Sequence, residues 1–208
     1  MATITDNILI PILNTLDKLE YIKADDIPNI DLYMDQVTTF MDSRLRQLAR
    51  NPEEDKVMTK TMINNYAKND LLPPPVKKKY SKEHLLLLLF IYYFKGFLSI
   101  SDIQALLRPI TEKYFQNGKD FDLEELYEKV FSMEKDQIKN LKKDIEEKYR
   151  IAEAVFEDAQ EDKEFLQKFA FVCLLSYDVY IKKGIIERMI DELFRDKPEL
   201  PIAKETKK

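Results

Sequence analysis

The sequence predicts an all-α protein, on three observations. Only three glycines occur in 208 residues (Gly96, Gly118 and Gly184), too few for a turn-rich β fold or a glycine-rich phosphate loop. Apolar residues recur at three- and four-residue spacing along most of the chain, the period of a helix with one buried face. Serine, threonine and proline punctuate these stretches where helix caps and stops belong. With 45% hydrophobic and 34% charged residues, the composition is that of a soluble globular protein long enough to bury a core.

Taken in order, residues 6–22 read as a helix, with Leu9, Leu13, Leu16 and Leu19 or Glu20 at helical spacing and Pro11 tolerated near its start. Asp25-Asp26-Ile27-Pro28 breaks it. A second helix is expected from Asp31 to about Ala49, with Met34, Val37, Met41, Leu45 and Leu48 as its inner stripe. Arg44, Arg46 and Arg50 cluster at its end, where cations suit the helix dipole and a phosphate is within reach. Asn51 to Asp55 is an acidic connection, with room for a short helix near Glu53–Val57.

Thr59 then caps a short helix over Lys60–Lys68. Steps of ~100° per residue set Met62, Ile63, Tyr66 and Ala67 on one side. Lys60, Thr61, Asn64, Asn65 and Lys68 fall on the other, and no carboxylate of this helix joins them. Those residue types suit DNA. Asparagine pairs bidentately with adenine, lysine donates to guanine or phosphate, and a threonine methyl touches the thymine methyl. Pro73-Pro74-Pro75 ends the segment, Lys77, Lys78 and Lys79 follow as a phosphate grip, and Tyr80 precedes Ser81, the cap of a long apolar helix. A further helix starts at Ser99 or Ser101 and is expected to stop at Pro109.

This order resembles the winged helix-turn-helix of MerR-type transcription regulators. In that family a recognition helix reading T-I-R-Y-Y-E precedes G-L-L-x-P, a basic wing closing in tyrosine, and a helix pair ending S-x-x-E-I-x-x-L-L. Aligned on Leu71-Leu72-Pro73, Ile63 and Tyr66 match the family's isoleucine and second tyrosine, and Tyr80 matches the wing tyrosine. Ser99, Asp102, Ile103, Leu106 and Leu107 match the last helix. Asn64 stands in place of the arginine, Asn65 of the first tyrosine and Ala67 of the glutamate, and the wing shrinks to Val76–Lys79. The string TMINNYAKNDLLPPPVKKKY is also similar to an uncharacterised bacterial family known only as a domain of unknown function. The resemblance implies a DNA-binding regulator that pairs through a helix following its DNA-binding unit.

Past Pro109, a loop or short helix turns at Gly118, and Leu123–Phe131 is helical. Residues 134–158 form a charged amphipathic helix with Ile138, Leu141, Ile145, Ala152 and Val155 on its seam, interrupted by Lys148 beside Tyr149. From Asp162 to Phe194 the chain reads as one long helix, or two joined near Gly184. Its run Phe169–Leu175 is apolar all round and is expected to be deeply buried. The expected organisation is an N-terminal helix over 1–30, a DNA-binding unit over 31–109, a C-terminal helical region over 110–196 for dimerisation or partner binding, and a disordered tail over 197–208.

Net charge is −5, yet its distribution favours a nucleic-acid partner. Residues 1–55 carry five bases against eleven acids, residues 56–108 nine against three, and residues 109–208 nineteen against twenty-four. One basic module therefore sits inside an acidic protein. His84 and Cys173 are the only residues of their kinds, which excludes a histidine-rich metal site, a His-based triad and an internal disulfide. His84 is expected to be structural or solvated and Cys173 to be a small buried hydrophobe. The acids lie on lysine-studded helical faces, so no enzyme, metal or cofactor is predicted. No secretory signal is evident, and the most apolar run, Leu85–Phe94, is well short of the ~20 residues that span a bilayer.

The sequence thus predicts a cytoplasmic, homodimeric, double-stranded-DNA-binding transcription regulator with no membrane association. The alternative is a helical protein–protein interaction module without a nucleic-acid role.

Overall fold

Seven successive residues of one helix, Leu85 to Ile91, are all buried, and the fold is arranged around them. They belong to α4 (Lys82–Phe94), which a capping box starts at Ser81. A helix apolar on every side must be covered on every side. The computed structural model describes residues 5–16, 21–118 and 121–195, and there the cover comes from short elements before and after α4 in sequence. α2 (Met34–Leu45) contributes Val37, Met41 and Leu45 to this core, and α3 (Lys60–Lys68) contributes Ile63 and Tyr66. α5 (Ile100–Tyr114) adds Ile103 and Leu107, and α6 (Leu123–Ser132) adds Leu123 and Tyr127.

Two short strands close the unit. β1 (Leu32–Tyr33) pairs antiparallel with β2 (Lys79–Tyr80), Leu32 opposite Tyr80 and Tyr33 opposite Lys79. The two-residue period sends Leu32 and Tyr80 into the core. It leaves Tyr33 and Lys79 outside, where the lysine Nζ lies 5.2 Å from the centre of the tyrosine ring.

Side chains of α6 tie residues 21–24 to the same body. The Tyr127 hydroxyl donates to the Ile22 carbonyl at 2.6 Å. The Glu128 carboxylate accepts the Ala24 N–H at 2.5 Å and the Tyr21 hydroxyl at 3.0 Å. The chain from Tyr21 to Ser132 thus closes on itself.

A second layer holds α1 (Thr5–Leu16), α7 (Glu134–Val155) and α8 (Lys163–Leu193) around Leu9, Ile145, Tyr149, Ala152 and Phe171. α7 and α8 are antiparallel: Lys148 meets Asp178 at 2.9 Å, whereas further along α7 the Glu153 carbonyl accepts from Gln167 at 2.7 Å. Lys148 interrupts the apolar seam because it spans to α8, pairing with Asp178 as well as with Asp144. Ile186 and Ile190, near the end of α8, reach back to the first core. Arg195 pairs there with Asp102, a residue of the Ser99 capping box.

Among the described residues the protein is all-α apart from these two strands, and several local expectations are corrected. α1 is described over Thr5–Leu16 with Pro11 within it, Leu19 and Glu20 lie outside the described residues, and Tyr21 and Ile22 are outside any helix. α2 tightens into a 3-10 turn at Arg46–Leu48, which turns Leu48 out to solvent. Glu53–Val57 holds a turn rather than a helix. Pro109 does not stop α5, which runs to Tyr114. α8 is one unbroken helix, and in its run Phe169–Leu175 only Phe171 is buried: Ala170, Leu174 and Leu175 are half-buried against the second core, and Phe169, Val172 and Cys173 are exposed. Leu141 and Val155 are also exposed, so the α7 seam is Ile145, Tyr149 and Ala152. The tail, residues 197–208, lies outside the described residues.

Candidate nucleic-acid interface

Thr59 sets the start of α3: its Oγ1 accepts the Met62 N–H at 3.1 Å, satisfying one of the free donors of the first turn. The helix buries Ile63 and Tyr66, half-buries Met62 and Ala67, and leaves Lys60, Thr61, Asn64, Asn65 and Lys68 exposed. Among the described residues the side-chain amides of Asn64 and Asn65 have no hydrogen-bond partner, so both are open to an external one. The sequence did not show that Asp35, at the start of α2, pairs with Lys60. That contact joins residues far apart in the chain and places one carboxylate at the edge of the basic face.

The end of α3 is fixed by its backbone. The Leu71 N–H donates to the Tyr66 carbonyl at 2.9 Å, the six-to-one bond of a Schellman motif, with Asp70 in the left-handed conformation at φ 54°. Leu71 and Leu72 plug into the core behind it. Gln104 of α5 donates to the Asn69 carbonyl at 3.0 Å, bracing the exit of the helix.

After the prolines, Val76 and Lys79 exchange backbone hydrogen bonds at 3.1 and 2.9 Å, closing a two-residue hairpin. Lys77 and Lys78 form its tip with φ of 50° and 65°, the signature of a type I′ turn. Asparagine and glycine are the residues that turn prefers; a lysine held in the left-handed region costs about 1–2 kcal/mol. The three lysines are therefore not equivalent. Lys77 and Lys78 are exposed at the tip, whereas Lys79 is half-buried against Tyr33.

His84 supports the base of this hairpin. Its Nδ1 accepts the Ser81 N–H at 3.0 Å, and its ring meets Tyr80 and Phe115 edge-on. The ring is 1% exposed, and among the described residues Nε2 makes no well-formed hydrogen bond, although the Pro73 and Pro74 carbonyls lie near it. Burial pushes its pKa down, opposed by the carbonyls of Pro73 and Pro74 and by Asp31.

Of the arginines at the end of α2, Arg44 and Arg50 are exposed and Arg46 is half-buried. Arg46 holds Asp42 at 2.6 Å and the Pro52 carbonyl at 2.7 Å, and Arg44 lies over Phe40. Among the described residues no group of three or more His, Cys, Asp or Glu is placed to hold a metal ion. No helix among them is long and apolar enough to cross a membrane.

A family model described as a domain of unknown function, DUF1836, matches residues 22–130. Those limits coincide with the body that Ile22 and Tyr127 close, which includes α6 as well as α3 and the hairpin. Neither the curated proteins nor the solved structures compared with the chain give a match.

Proposed function

The chain belongs to the DUF1836 family, and we propose that it is a DNA-binding transcription regulator built on a MerR-like winged helix-turn-helix. In this reading α2 is the first helix, α3 the recognition helix in the major groove, and the Val76–Lys79 hairpin a minimal wing. Lys60, Thr61, Asn64, Asn65 and Lys68 face the groove, and the asparagines read bases. Lys77 and Lys78 grip phosphate from the tip, with Lys79 behind them, and fix the register of the helix on the duplex. The protein works in the cytoplasm as a homodimer, so that two recognition helices meet two half-sites about one turn of DNA apart.

One observation carries this reading: a two-residue hairpin keeps two lysines in a conformation that asparagine and glycine would adopt at lower cost. Backbone strain persisting at an exposed tip points to a use for the residues that bear it. The exposed face of α3, without a carboxylate of its own, supports the same use.

Retention on immobilised duplex DNA with salt elution, followed by selection of bound sequences from random duplex, tests it. Enrichment of one palindromic motif is expected. A flat selection and no retention at low salt would leave the helical interaction module as the function.

A further inference from the structure

A ladder of exposed apolar residues climbs α8 in steps of four: Phe165, Phe169, Cys173, Tyr177, Ile181, Ile185 and Met189. Apart from Cys173 they are between 40% and 66% exposed, and Tyr180 beside them is 74% exposed. Steps of four advance about 40° each, so the ladder winds round α8 as a ridge. At about 150–250 Å² for a whole aromatic side chain, its exposed side chains together present on the order of 800 Å² along that ridge. The largest apolar patch of an ordinary monomer is about 300–600 Å². A stable interface needs about 800 Å² from each partner.

Among the described residues nothing covers it.

Gly184 points the same way. Glycine inside a helix weakens it, and nothing lies within 4 Å of the place a Cβ would take. The glycine instead floors a shallow groove of about 370 Å³ lined by Tyr180, Ile181, Ile185 and Arg188.

We propose that α8 pairs antiparallel with the α8 of a second copy, crossing at Tyr177, with Phe169 of each copy entering the groove at Gly184 of the other. This rests on the homodimer of the reading above and not on its DNA contact. The ladder has three apolar steps on either side of Tyr177, so an antiparallel copy centred there sets Cys173 against Ile181 and Phe169 against Ile185. Ridges of four-residue spacing interdigitate when two helices cross at about −50°, with axes 8–10 Å apart. Such a crossing contacts about two turns on each side of its centre, the part of α8 whose outer face neither α7 nor α5 covers. Two of the lysines flanking it are paired within the helix, Lys183 with Glu187 at 3.1 Å and Lys182 with Asp178 at 3.7 Å, and Arg188 lies at the rim of the groove.

Sedimentation at micromolar concentration should give twice the chain mass of 24.7 kDa. Tyr177→Asp and Gly184→Leu should each sediment at the single-chain mass with unchanged helical circular dichroism. Tyr177→Cys in a Cys173→Ser background should oxidise to a covalent dimer, because facing Cα atoms at such a crossing lie within the span of a disulfide. A wild-type monomer overturns the proposal, and so does a dimer that survives both Tyr177→Asp and Gly184→Leu. Duplex retention is read separately: a dimer that ignores DNA leaves this pairing intact and removes the DNA-binding reading, whereas a monomer that retains DNA does the reverse.

Discussion

Lys77 and Lys78 occupy backbone conformations that asparagine and glycine adopt at lower cost. If the lysines are kept for their charge, then replacing them with the preferred pair separates stability from binding. Lys77→Asn with Lys78→Gly should raise stability by about 1–2 kcal/mol in urea unfolding, through relief of the left-handed strain. The same variant should lose affinity for any duplex and show a shallower salt dependence. His84 makes a second prediction at this scale. Burial lowers its pKa below the ordinary 6.5, so the unfolded chain takes up a proton that the folded chain refuses. Stability should therefore be full above the ordinary value and fall as pH drops through it toward the lowered one. Urea midpoints measured across that range should follow this slope, and His84→Gln should flatten it. The turn chemistry was hidden in the sequence, because Lys-Lys is not a turn signal; only the shortness of Val76–Lys79 hinted at a tight reversal.

At the scale of elements, what was legible was local. Thr59 caps α3 and Ser99, of the two serines expected, caps α5, because capping needs only a side chain and the N–H three residues on, while at the start of α4 the Ser81 N–H donates to the His84 ring. What was not legible involved distant partners. Nothing in Tyr127 or Glu128 announces that they hold residues 21–24, more than a hundred positions earlier. Removing the Tyr127 hydroxyl leaves the Ile22 carbonyl without that donor, so Tyr127→Phe should cost about 1–3 kcal/mol. Amide exchange over residues 21–27 should rise with it, and unchanged exchange there would show that the clasp does not hold this segment. Pro109 misled for a different reason: a proline lacks one donor, but neighbouring turns can carry a helix past it. Lys148 misled through its charge, which α8 meets with Asp178; the two partners hold its pKa up.

For the whole molecule, the all-α class and the basic module within an acidic chain were both readable from composition and spacing. The misplaced part was the C-terminal helix. An apolar run was expected to be buried, yet α8 turns one side to α7 and α5 and leaves the other uncovered. Periodicity reports that a face avoids water; it does not report whether the cover comes from the same chain.

The central claim is that the asparagines of α3 read bases while the hairpin lysines hold phosphate. The most direct test is the affinity of wild type, Asn64→Ala and Lys78→Ala for the selected site and for random duplex, each over a range of salt. Asn64→Ala should weaken the selected site by about 1–3 kcal/mol and leave random duplex nearly unchanged. Lys78→Ala should weaken both alike and reduce the slope of log affinity against log salt by about 0.9. If both substitutions change selected and random binding in the same ratio, α3 does not read bases and the claim fails.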